Sequence, residues 1–302
     1  LQAADSACYV AKDAGRNRIH VYHEHDAQLA RRHGEMQWVS RIQQALEDDG
    51  FQLYTQLIEH MQSNAATGLH CEVLLRLVDE TGRVTLPGVF VPAAEHYDLA
   101  VRIDRWVIDH VFRWLAEQPN VVDSLELCTI NLSGHSLSDR LFEAHILRQF
   151  EATGIPGEKI GFEITETAAI ANLNDATRFI KTLKTHGCRF ALDDFGSGLS
   201  SFAYLKNLPV DFLKIDGMFV KDMVDDPIDL AMVRSINEIG QLMGKQTIAE
   251  YVENDAIRNQ LRELGVNLVQ GFGVSRPQPI AHLMKETERY SQVKARSRTP
   301  IE

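Results

Sequence analysis

Eight apolar runs of strand length, amphipathic stretches between most of them, and a polar residue closing most runs predict an α/β fold, a TIM-type (β/α)8 barrel. The runs lie at 51–58, 71–77, 125–131, 159–164, 188–193, 211–215, 246–250 and 266–270. The helical stretches include 104–116, 138–152, 174–186 and 228–243. An open doubly wound sheet shows the same alternation, and strand count alone does not separate the two.

Taken in order, Ala3 to Ala14 read as a helix, Gly15 as its stop, and Arg18 to Tyr22 as a strand. Residues 26–49 are helical, with Leu29, Met36, Val39, Ile42 and Leu46 at helical spacing. The strand and helix alternation follows. This divides the chain into residues 1–25 and 26–302. The chain opens at Leu1, within a helical pattern and without an initiator methionine, as a piece of a longer protein would.

Composition narrows the function. With 302 residues and a hydrophobic fraction of 44%, the chain has ample material for a core. No apolar run reaches the length of a membrane span, and no signal-peptide pattern opens the chain. No membrane contact is therefore expected of this fragment. The formal net charge of −11 argues against a nucleic-acid polymer as partner. Cys8, Cys71, Cys128 and Cys188 are scattered, which fits free thiols in a reducing cytoplasm. His23 and His25 sit in a polar stretch that reads as a solvated linker, and His110, His135, His145 and His186 lack ligand spacing.

The functional signal lies in the residues at the strand ends: Asn131, Glu163, Asp193, Asp194, Lys214, Glu250 and Gln270, with Glu72 inside the second run. A single acid at a strand end is usually a helix cap. A set on successive strands of a parallel barrel converges on the face where such barrels place catalysis. Glu72, Asn131, Glu163, Asp193 and Asp194 offer only oxygen, which suits Mg²⁺ or Mn²⁺ rather than zinc. Adjacent aspartates on a loop can share two ions, a known device for phosphodiester hydrolysis. A lysine beside such cations would be pushed toward its neutral form.

At these residues the sequence resembles the EAL family of c-di-GMP phosphodiesterases, from about residue 30 to 287. The motif reads Glu72-Val73-Leu74 followed by Leu75-Arg76, and FVPAAE, INLSG, EITET, DDFGSGLSS, LKID, AEYVE and QGF with RP also match. The resemblance implies a barrel whose first strand runs antiparallel to the rest, two metal ions, and opening of c-di-GMP to linear pGpG. It implies Glu72, Asn131, Glu163 and Asp193 at the first metal and Asp193 with Asp194 at the second. Lys214 and Glu250 then contact the attacking water or its metal. Gln270 is a further active-site position, Gln56 and Arg76 contact substrate, and Glu166 steadies the loop after Asp194. A homodimer through the lobe near that loop follows by the same analogy.

Four positions depart from the family pattern: Val73 for alanine, Leu57 for proline, Leu199 for tyrosine and Tyr251 for glycine. None removes a ligand. A ring at 251 would crowd the mouth of the site and bear on rate rather than chemistry. Residues 1–22 resemble the last helix and strand of a GGDEF domain, without the cyclase signature loop, so this fragment is not expected to synthesise c-di-GMP. Two other readings compete. One is a catalytically weak EAL domain that acts as a c-di-GMP receptor in bacterial-type signalling. The other is a barrel enzyme that abstracts a proton beside a carboxylate. The intact ligand set disfavours the first, and the DDFGSG and EITET contexts disfavour the second.

Overall fold

The computed structural model describes residues 24–62, 68–79, 81–198 and 202–297, together with Ala7, Ile19 and Val21. Apart from those three positions, the helix and strand expected at 1–22 lie outside the described residues, as do Cys8, His23 and Leu199.

The elements are α1 (Glu24–Glu47), β1 (Phe51–His60), β2 (Leu69–Val78), β3 (Val84–Thr85), α2 (Pro87–His96), α3 (Ala100–Ala116), α4 (Pro119–Ser124) and β4 (Leu125–Asn131). Then come α5 (Gly134–Ser138), α6 (Arg140–Thr153), β5 (Ile160–Thr165), α7 (Glu166–Ala171), α8 (Leu173–Lys184), β6 (Arg189–Phe195) and β7 (Phe212–Ile215). The last are α9 (Gly217–Val220), α10 (Pro227–Leu242), β8 (Gln246–Ala249), α11 (Asp255–Leu264), β9 (Leu268–Val269), β10 (Gln278–Pro279) and α12 (Leu283–Ser297). No helix among the described residues is long and apolar enough to cross a membrane.

One reading needs correction. His25, expected in a linker, lies in the first turn of α1. Asp193, expected to close its strand, and Asp194, expected just beyond it, are both residues of β6. That strand pairs regularly with β7 only as far as Leu192, then breaks register before Phe195. Asp194 takes a left-handed backbone at the break, with φ +52°.

The chain divides into two compact units, Leu1–Phe51 with Arg76–Ala100, and Gln52–Leu75 with Val101–Glu302. In the first unit α1 packs on α2, burying Ile42, Ala45, Phe90, Ala93 and Ala94. The Phe51 and Phe90 rings lie 5.8 Å apart. Pro87 opens α2 at a position where its missing N–H costs nothing.

The second unit holds a closed eight-stranded barrel in the order β1, β9, β8, β7, β6, β5, β4, β2, with β1 and β2 also paired. From β2 through β9 the neighbouring pairs are parallel, whereas β1 is antiparallel to β9. The expected barrel and its reversed first strand are therefore present. One layer of its interior is formed by Ile58, Leu127, Ala191, Phe212, Ile248 and Leu268, all at most 3% exposed. Each comes from a different strand, and together they form an apolar plug within the barrel.

Candidate functional site

Strand geometry derives the site from that layer. Side chains two apart on a strand face the same side. Two residues beyond Leu127, Ala191, Phe212, Ile248 and Leu268 come Thr129, Asp193, Lys214, Glu250 and Gln270. On the reversed β1, the same step is taken backwards, from Ile58 to Gln56. The register adds Asn131 opposite Glu163, and Glu72 opposite Thr129. The polar set is thus the next inward layer above the apolar plug, at the C-terminal ends of the parallel strands.

Lys214 is its centre. The side chain is 1% exposed, and Nζ lies 2.5 Å from Glu163, 2.8 Å from Glu250, 3.1 Å from Asp193 and 3.4 Å from Glu72. Burial alone would lower its pKa, but Asp193, Glu163, Glu250 and Glu72 outweigh burial and hold the ammonium charged. The neutral lysine expected from the sequence presupposed cations at its side; the neighbours of Nζ here are carboxylates.

Glu72 accepts from Asn131 Nδ2 at 2.6 Å and from Gln270 Nε2 at 2.6 Å. Burial would raise its pKa, yet Lys214 and these amide donors hold it below the usual value. Glu163 receives the hydroxyl of Thr129. A Cβ at Gly161 would meet Thr129 Cγ2 at 2.8 Å, so the bare glycine on β5 makes room for that threonine. Burial, with Glu72 adding repulsion against the pull of Lys214, pushes Glu163 up to about 8. Asp194 is raised to about 6 by burial and by Asp193 and Asp216, and burial also raises Asp193 and Glu250.

The remaining expected residues fall as follows. Gln56 is buried, donates from Nε2 to Ser275 O at 2.8 Å, and accepts from Gln270 Nε2 at 3.2 Å. Arg76 lies on β2 within the first compact unit and is half-buried. Glu166 is 2% exposed at the start of α7. Its Oε2 accepts from Gly196 N at 3.0 Å and its Oε1 from Tyr204 Oη at 2.7 Å. Ser197 does not reach it; that hydroxyl donates to Asp194 O at 2.8 Å. Tyr251 leaves Glu250 in contact with Lys214 and sets its own ring against Gly217.

Three participants escape a reading of strand ends. Thr129 lies two residues before Asn131, and the strand alternation carries that signal. Tyr204 has no local signal, because it reaches Glu166 only through the fold. Asp104 on α3 is buried and accepts from Ser133 N at 2.9 Å, Ser133 Oγ at 2.7 Å and Ser136 Oγ at 2.6 Å. It thereby fixes the backbone that follows Asn131.

The donor set suits hard divalent cations. Asp193, Asp194 and Glu250 each offer a ligand atom, all within 4.8 Å of one another. Burial holds three carboxyls above their usual range around a single ammonium, so added positive charge is electrostatically favoured. The buried Gln270 Oε1 has no hydrogen-bond partner among the described residues.

A pH dependence follows. A carboxyl raised in the fold stabilises it below the unfolded value of 4.5, and for Glu163 that contribution is lost as pH rises through about 8. His70 acts oppositely, because burial lowers it from 6.5 to about 3, but its contribution is complete above pH 6.5. Between pH 6.5 and 8, thermal stability in a metal chelator should therefore fall. Saturating Mg²⁺ should flatten that fall by taking the proton's place. Identical profiles with and without Mg²⁺ would contradict this.

The chain matches the EAL domain family model over residues 39–277 and belongs to that family. It is 40% identical over 288 residues to cyclic di-GMP phosphodiesterase PdeB of Shewanella oneidensis, covering 95% of this chain and 33% of that protein. It is 34% identical over 250 residues to cyclic di-GMP phosphodiesterase PdeF of Escherichia coli, covering 83% of this chain and 33% of that protein. The chain thus spans about a third of the length of these curated relatives. Among solved structures it resembles the FimX EAL domain of Pseudomonas aeruginosa bound to c-di-GMP, with TM-score 0.73 and 30% identity over 80% of this chain and 96% of that one. The c-di-GMP complex of the PaMucR phosphodiesterase is similar, with TM-score 0.73 and 29% identity over 82% and 99%.

Proposed function

We propose that this chain is a metal-dependent phosphodiesterase that hydrolyses c-di-GMP to linear pGpG. The observation that carries the reading is the ring of carboxylates around buried Lys214 at the barrel mouth, in a family whose relatives bear that activity in their names. Glu72, Asn131, Glu163 and Asp193 would hold one Mg²⁺ or Mn²⁺ ion. Asp193 and Asp194, with Glu250 nearby, would hold a second. When bound, the ions supply an activated water and positive charge against the phosphate.

The chain's own residues do the rest. Lys214 Nζ would orient the attacking water and carry a proton at the strand-end layer. The amides of Gln270 and Gln56 would position the sugar-phosphate ring, and the forked donors of Arg76 suit a phosphate. Glu166 would keep the backbone after Asp194 in place. The apolar plug below excludes bulk water and strengthens each of these interactions. Residues 1–25 would be the end of a GGDEF domain and 26–302 an EAL domain, together a cytoplasmic part of a signalling protein whose parent could be membrane-anchored, with a homodimer as its assembly by family analogy.

Turnover of c-di-GMP in different cations tests the metal assignment. Activity should require Mg²⁺ or Mn²⁺. Ca²⁺ should bind yet support little turnover, because its larger, looser shell holds water and phosphate less well. Equal rates in Ca²⁺ and Mg²⁺ would overturn the two-metal reading.

A further inference from the structure

Tyr251 follows Glu250 directly, in the connection between β8 and α11, and takes a left-handed backbone with φ +54°. For a residue with a Cβ this conformation is strained. The surroundings enforce it: Glu250 N donates to Ile215 O at 3.3 Å, Val252 N to Gln270 O at 3.0 Å, and Gly273 N to Val252 O at 2.8 Å. Glycine would relieve the strain, so the tyrosine side chain calls for a compensating role. The core does not provide one, since the residue is 61% exposed.

The ring has a defined seat. A Cβ at Gly217 would lie 2.1 Å from Tyr251 Cδ2 and 2.5 Å from Cγ, so only glycine at 217 admits it. Gly217 follows Asp216, immediately beyond the strand that carries Lys214. The ring therefore rests on backbone between the strands that bear Lys214 and Glu250. A strained, exposed aromatic held at the rim of a site is the arrangement a planar ligand group can use.

We infer that Tyr251 is a specificity-determining residue whose ring stacks against a guanine base of the cyclic dinucleotide. The inference rests on the proposed function, with the phosphate at the carboxylate layer and the base reaching the rim. A purine offers the wide π face that such a platform favours, and aromatic stacking contributes to nucleotide affinity without sequence-reading hydrogen bonds. The phenol hydroxyl is not needed for this, so phenylalanine should serve.

Binding of c-di-GMP by calorimetry, with Ca²⁺ in place of Mg²⁺, tests it on the native chain, Tyr251→Gly and Tyr251→Phe. Tyr251→Gly should bind about tenfold more weakly while melting at a higher temperature than the native chain. Tyr251→Phe should stay within about twofold of native affinity, since it keeps the ring. In Mg²⁺ turnover, KM of Tyr251→Gly should rise more than kcat falls. Native affinity in Tyr251→Gly would overturn this inference alone. Absence of c-di-GMP binding by the native chain would overturn the proposed function and the inference together.

Discussion

Lys214→Ala is expected to lower c-di-GMP turnover by about a hundred- to ten-thousandfold, the range that positioned proton-transfer groups contribute. It should also destabilise the fold. The ammonium is 1% exposed and lies within 4 Å of four carboxylates, Glu72, Glu163, Asp193 and Glu250. Removing the charge common to a buried ion network typically costs about 3–5 kcal/mol, because the opposite charges stay buried and unpaired. Mg²⁺ should restore much of the stability, since it neutralises the same carboxylates, but not the rate, since it does not replace Nζ. Urea unfolding and turnover, each with and without Mg²⁺, separate the two effects. A near-native rate in Lys214→Ala would refute the assigned role.

The second large effect is expected at Glu166. Its carboxylate is buried and holds Gly196 N at 3.0 Å and Tyr204 Oη at 2.7 Å. Gly196 follows Asp194 by two residues, and Asp194 is itself in a left-handed conformation at the broken end of β6. Glu166→Ala frees the backbone that fixes both aspartates. A misplacement of about 1 Å can cost on the order of a hundredfold in rate, so most activity should be lost at low Mg²⁺. Higher Mg²⁺ should recover part of it by occupying the loosened site. The mutant should remain folded. Tyr204→Phe, which removes one of the two donors, should show the same dependence more weakly. Native activity for Glu166→Ala across the Mg²⁺ titration would refute this role.

Much of this was legible because a barrel turns chain position into place. The alternation of two along each strand lifts Lys214, Glu250 and Gln270 into one layer above Phe212, Ile248 and Leu268, and that alternation is visible in the sequence. The reversed first strand was accessible only through family likeness, since Gln56 faces the layer by counting backwards from Ile58. Less legible were contacts made across the fold. Asp104 lies on a helix and meets Ser133 and Ser136 from outside the strand pattern, and Tyr204 reaches Glu166 over 38 residues of chain. That β6 continues past Asp193 to Phe195 was less legible, because its last residues leave the regular register. The charged state of Lys214 among its carboxylates depends on how many of them converge, a property of packing rather than of spacing.

The most direct test of the central claim is product analysis after the purified chain is incubated with c-di-GMP and Mg²⁺, with a chelator-treated control. Linear pGpG should accumulate over many turnovers in Mg²⁺ and be absent with chelator. Stoichiometric binding of c-di-GMP that leaves the ring intact under both conditions would contradict the account and identify the chain as a receptor.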